Sequence, residues 1–237
     1  MKNRSFILLL SVVLFSSCFV KSLHPFYTKE TVSYNENLIG TWEDNQGAVW
    51  EIIPFKNEFF KEHSKSEQVN DMKIETTVKI NKPEKEEDIE DYELYNEYKN
   101  GYYIKRTKKG KEAAFFANPF KIKGQYFLDF TPLMVDINAE SLIENHLVST
   151  HSLVKFDVAE DKSVQLSWLD ESRLKELFKE KKIKIEHEKT GVDKSGILLT
   201  AKPEELQKFI KKYMASKNQD KWKSDTKFTL TKTNAKP

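Results

Sequence analysis

The chain has one cysteine in 237 residues, Cys18. A lone thiol excludes an intramolecular disulfide, a thiolate metal cluster and a second thiol as nucleophile. Glycine is scarce, at seven residues, while aromatics reach 12%; that balance belongs to a chain with a packed core rather than a disordered one. Long hydrophobic runs are missing too. The one apolar stretch, Phe6 to Phe15, spans about ten residues, too few to cross roughly 30 Å of hydrocarbon as a helix. Finally, Lys2 and Arg4 supply the whole formal charge of +2, so residues 18–237 are balanced. No net basic field remains to draw the molecule to nucleic acid.

The familiar chemical motifs are absent as well. Gly191 to Gly196 lacks the spacing of a phosphate loop, and there is no Gly-x-Ser-x-Gly elbow, His-Glu-x-x-His or dinucleotide fingerprint. The acid-rich segment 82–91 lacks the ligand spacing of a calcium loop and reads as a solvated hairpin loop. Among the histidines, His146 and His151 match no zinc pattern, and 37 carboxylates are too many for one pair to stand out. No catalytic residue, cofactor or metal ligand is assigned, and the expectation is a binding or interaction module rather than an enzyme.

What the chain does have begins with a basic start, a short apolar region and Ser16-Ser17-Cys18, which together read as an export signal over 1–17. Leu14 to Cys18 resembles the lipobox of bacterial lipoproteins. The resemblance implies that Cys18 is lipidated with palmitate-type chains, becomes the mature N-terminus and holds the protein at the bacterial cell membrane. Stable anchoring takes more than one acyl chain, which that modification supplies. An aspartate after the cysteine resembles an inner-membrane retention signal. Phe19 stands there instead, which favours the outer membrane. Residues 18–29 are expected to form a short tether, and 30–237 one domain.

Within that domain the dominant signal is period two. Met72 to Ile80, Val164 to Trp168 and Ile183 to His187 each alternate apolar with polar residues, as half-buried strands do. Further strands are expected at 48–53, 91–98, 101–107, 112–118, 124–130, 150–158, 196–200 and 226–232. Two helices stand out near the C-terminus, at 170–181 behind Asp170 and at 203–216 behind Pro203. Leu206, Phe209, Ile210 and Tyr213 give the second an apolar stripe. A weaker helical stretch covers 139–146. The fold class is therefore mainly β (α+β): an antiparallel meander forming a barrel or strongly curved sheet, with two amphipathic surface helices.

Gly40-Thr41-Trp42 resembles the opening Gly-x-Trp of lipocalin-type barrels, where glycine permits a tight entry and tryptophan plugs the closed end. The late-strand arginine of that family has no counterpart, since Arg106 and Arg173 are the only arginines after Arg4. More broadly, His24 to Thr28, Gly40 to Trp42, Tyr126 to Asp129, Trp168 to Asp170, Leu198 to Ala201 and Glu205 to Phe209 resemble uncharacterised bacterial lipoproteins of the Bacteroidota type. That resemblance implies an envelope location and a β-rich fold, and carries no activity.

The function expected is that of a lipid-anchored cell-envelope protein binding a small apolar ligand. The candidate lining is Trp50, Phe127, Phe156 and Trp168, with His187 on the apolar face of its strand. The same side chains serve equally as the packed core of a small barrel. The alternative is an envelope interaction or structural module without a cavity, which an exposed apolar patch would mark.

Overall fold

A computed structural model describes residues 19–64, 89–133 and 148–233. Cys18, the strand expected at 72–80, the helix expected at 139–146 and residues 82–88 lie outside them. The first strands are β1 (Lys21–Ser22), β2 (Gly40–Asp44), β3 (Val49–Pro54), β4 (Tyr102–Lys108), β5 (Lys111–Ile122) and β6 (Gln125–Pro132). They are followed by β7 (His151–Val158), β8 (Val164–Trp168), β9 (His187–Thr190), β10 (Gly196–Leu199) and β11 (Lys227–Lys232). The helices are α1 (Phe55–Ser64), α2 (Ile89–Tyr98), α3 (Glu171–Lys179) and α4 (Pro203–Ala215).

Strands β2 to β8 pair antiparallel, each with the next, and β11 closes the ring by pairing with both β8 and β2. The result is an eight-stranded antiparallel barrel. Two-residue turns at Lys109-Gly110 and Lys123-Gly124, all at positive φ, make the tight hairpins. A side sheet branches from the start of β7, where β1 pairs with His151 and Ser152 and runs parallel to β10, itself paired with β9.

Alternation along each strand sorts side chains between two cores. Inward lie Trp42, Trp50, Ile52, Tyr102, Ile104, Leu128, Phe130, Val154, Phe156, Leu166 and Trp168, in one buried cluster. An eight-strand barrel is about the size that side chains can fill. Trp42 donates its Nε1–H to the Leu38 carbonyl at 2.9 Å, and the ammonium of Lys232 lies 5.4 Å over its ring. Gly40 enters β2 at φ +138°, a conformation that favours glycine. Outward, Phe120, Ile122, Phe127 and Leu153 are covered by Val20, Phe26, α3 and α4. A third cluster packs Phe55 and Phe59 of α1 against Tyr95 and Tyr98 of α2.

Three expectations are corrected. Residues 91–98 belong to helix α2, not to a strand: Tyr95 and Tyr98 sit three apart on one helical face, against Phe59 and Phe116. Strand pairing around His187 is confined to 187–190, while Ile183 and Ile185 pack half-buried against the outer core. Most consequential, residues 19–28 are not a tether. Val20, Ser22 and Phe26 have no exposed surface, and Val20 N–H donates to the Leu169 carbonyl. Burying the apolar side chains of Val20 and Phe26 yields about 1.5–3 kcal/mol each, which no free linker would provide.

Gly101, between α2 and β4, is packed so closely that a Cβ there would stand 2.7 Å from Asn118 Oδ1 and 2.8 Å from the Ala117 carbonyl oxygen. The substitution Gly101→Ala is expected to destabilise the protein by about 1–3 kcal/mol. Urea denaturation with an unchanged m-value measures this.

Candidate functional site

Among the described residues, two buried aspartates, Asp44 and Asp129, each centre a polar cluster. At one mouth of the barrel, Asp44 Oδ2 accepts from Trp50 Nε1 (2.9 Å) and from Arg106 Nε and Nη2 (3.1 and 2.8 Å). Its Oδ1 accepts the Gln46 and Ala48 N–H groups that form the β2–β3 turn. Burial opposes the carboxylate, but these hydrogen bonds outweigh it and hold the Asp44 pKa below its ordinary value. The Arg106 guanidinium lies over the rings of Trp50 and Phe228. Both carboxylate oxygens of Asp44 are matched, and the cluster ties the β2–β3 turn to β4 at this mouth.

The second cluster sits outside the barrel, under the N-terminal segment. Asp129, fully buried, accepts the Phe26 N–H at 2.6 Å through Oδ2 and faces His151 Nδ1 at 2.6 Å through Oδ1. Thr131 Oγ1 lies 3.2 Å from the same Nδ1 and accepts from the Tyr98 hydroxyl. Burial disfavours the imidazolium, yet the charge and hydrogen bond of Asp129 win, and the His151 pKa is raised. Carboxylate and hydroxyl converge on one ring nitrogen and so fix the imidazole in place as a clamp. It fastens the segment leading from Cys18 to the barrel wall. Tyr27 is held nearby by Asn118 Nδ2 at 2.7 Å, and burial, with the charges of Glu97 and Asp129, pushes its phenol well above the usual range.

The open concavity lies elsewhere, between α3, α4 and the stretch 181–186. It is a cleft of about 920 Å³, in the size range of small-molecule sites. Its apolar floor is Leu177, Ile183, Ile185, Phe209 and Tyr213. Helix α3 ends as Lys181 adopts φ +55° and the Lys182 N–H returns to the Leu177 carbonyl, which turns the chain along the cleft wall. At the far end, the Lys221 ammonium donates to the Met214 and Ser216 carbonyls and closes the C-terminus of α4. Burial pushes the Tyr213 phenol up to about 12, with Arg173 pulling the other way, and its hydroxyl donates to the Lys221 carbonyl.

The residues singled out in sequence divide among these places. Trp50, Phe156 and Trp168 come together inside the barrel. Phe127 lies on the opposite face of its strand, in the outer core. His187 stacks on Phe178, with ring centroids 4.1 Å apart, and its Nδ1 lies 2.9 Å from the Ile185 carbonyl oxygen. None of the five lines the cleft, although His187 braces the segment that does. Sequence reasoning missed the Asp129–His151 pair, whose signal was an aspartate between Leu128 and Phe130 in an otherwise apolar strand. Among the described residues no helix is long and apolar enough to cross a membrane. Nor do three or more His, Cys, Asp or Glu side chains gather there as ion ligands. Compared with protein-family models, curated proteins and solved structures, the chain matches none.

Replacing Asp129 by Asn removes a buried charge from beside His151, at an expected cost of about 3 kcal/mol. With a raised folded pKa, the wild-type pair contributes fully below about pH 6.5 and progressively less as pH climbs through that raised value. Denaturation titrations between about pH 6 and about pH 9 should show this decline in the wild type and not in Asp129→Asn.

Proposed function

We propose that the chain is a lipid-anchored cell-envelope protein that binds a small ligand with apolar character, using the cleft between α3 and α4. The observation that carries this reading is the cleft itself: an open concavity with an apolar floor, outside a barrel whose interior is filled by its own side chains. The barrel then acts as scaffold. A lipocalin-like origin for it is supported by Gly40 and Trp42 at the start of the first barrel strand, with Lys232 of the last strand over the tryptophan where that family keeps an arginine.

The anchoring part rests on the export signal and on Cys18. Phe19 bridges to Asp170, and its ring lies 6.5 Å from that of Trp168. A lipid on Cys18 would hold the folded domain against the bilayer with no spacer, at the outer membrane of a bacterium by the Phe19 argument. The interaction-module alternative asks for a contiguous exposed apolar patch. Among the described residues Leu23, Val148 and Val192 are exposed apolar side chains, and the ligand reading is preferred because the cleft is an already formed concavity.

Two measurements test the reading. In a bacterial host fed labelled palmitate, the wild-type chain should take up label and sediment with membranes. The variant Cys18→Ser should take up no label, and an unlabelled wild type would overturn the anchor. Native mass spectrometry of the exported Cys18→Ser chain, which needs no detergent, should show a discrete added mass lost on denaturation. A bare protein mass after exposure to envelope lipid extract would end the ligand reading.

A further inference from the structure

The rim of the cleft has a strongly one-sided charge. Seven cations line it, against only the carboxylates of Glu186 and Glu205. Three of the cations are engaged: Arg173 with Glu176, Lys182 with Glu180, and Lys221 with backbone carbonyls. Among the described residues Lys181, Lys184, Lys208 and Lys212 have no ion-pair partner, and all four are exposed. Like charges gathered around an apolar floor are costly unless something of opposite sign joins them.

Resting on the ligand-binding reading above, we infer that the cleft takes an amphipathic anion: a single hydrocarbon chain carrying a phosphate-type head. The chain lies on Leu177, Ile183, Ile185, Phe209 and Tyr213, and the head meets Lys208, Lys212 and the lysines of 181–184. Neither half suffices alone. Exposed ammonium groups hold a free anion weakly in water, whereas an apolar tail brings the head into a partly desolvated site where each charge counts for more. The site also lies close to a source of such molecules. Arg173 is three residues, about 4.5 Å of helix rise, from Asp170, the bridge partner of Phe19 beside the proposed anchor.

Calorimetric titration of the full chain carrying Cys18→Ser tests the inference with dodecyl phosphate below its micelle threshold, dodecanol and inorganic phosphate. Dodecyl phosphate should bind at least about tenfold more tightly than either of the others, a difference of about 1.4 kcal/mol. The exposed double variant Lys208→Glu with Lys212→Glu should lose at least about tenfold of that affinity. Lys211→Glu, the same kind of substitution on the same helix away from the cleft, should lose little. If dodecanol matches dodecyl phosphate and the double variant binds both normally, the anionic inference falls while ligand binding stands. If no probe binds, both fall. Binding only to phosphatidylglycerol vesicles, abolished by high salt, would overturn the inference by making these lysines a membrane-contact face.

Discussion

Strand β11 pairs with β8 along one edge and with β2 along the other, and this double pairing turns a curved sheet into a barrel. Closure removes the open edges that a long sheet would present to other chains. It also fixes the interior volume, and that volume is taken up by Trp42, Trp50, Tyr102, Phe130, Phe156 and Trp168. Large rings packed at tilted and edge-on angles, as in Trp168 with Phe130 and Phe228, resist rearrangement because each constrains the next. A barrel built in this way leaves its outer wall free to carry other elements. The helices, the side sheet and the N-terminal segment all pack there.

The outer wall is where polar chemistry enters the packing. Asp129 faces outward from β6, yet it is sealed beneath the segment whose Phe26 amide it binds. A carboxylate in that position is tolerable only because three partners converge on it or on its histidine. The pair therefore selects one seating for the N-terminal segment, since a slipped segment would leave a buried charge without its amide. This gives a mechanical meaning to the short distance between Cys18 and the domain. Were Cys18 lipidated as proposed, a pull on that lipid would reach the side sheet and the barrel wall through Val20, β1 and Phe26.

How much of this was legible in the sequence depended on the range of the interactions. The strands at 101–107, 112–118, 124–130 and 150–158 and both C-terminal helices showed in their periods, because alternation and the 3.6-residue stripe are local consequences of one buried face. Helix α2 was misread since Tyr92 and Leu94 alternate before Tyr95 breaks the pattern, and α1 was missed although Phe55 and Phe59 are one helical turn apart. The parity of Phe127 against Leu128 was visible, but not which of the two faces would become the interior. That choice is made by closure, between strands far apart in the chain. The cleft was hidden for the same reason, being assembled from two helices and the turn between α3 and β9. Each carries lysines that look like an ordinary solvated face when taken singly.

The charge balance of residues 18–237 bears on how such a cleft would work. Because residues 18–237 carry no net charge, the cationic rim would act only within about one Debye length, roughly 8 Å at physiological ionic strength. Long-range attraction of anions from solution is therefore weak, and the site depends on ligands delivered to its edge. A domain fixed closely to a bilayer meets that requirement, since confinement raises the local concentration of membrane-derived molecules without any added contact energy. Balanced charge over residues 18–237 and cationic charge in one cleft are thus compatible demands: in the proposed role the first would limit broad adhesion to anionic lipid, and the second would discriminate among molecules reaching the apolar floor.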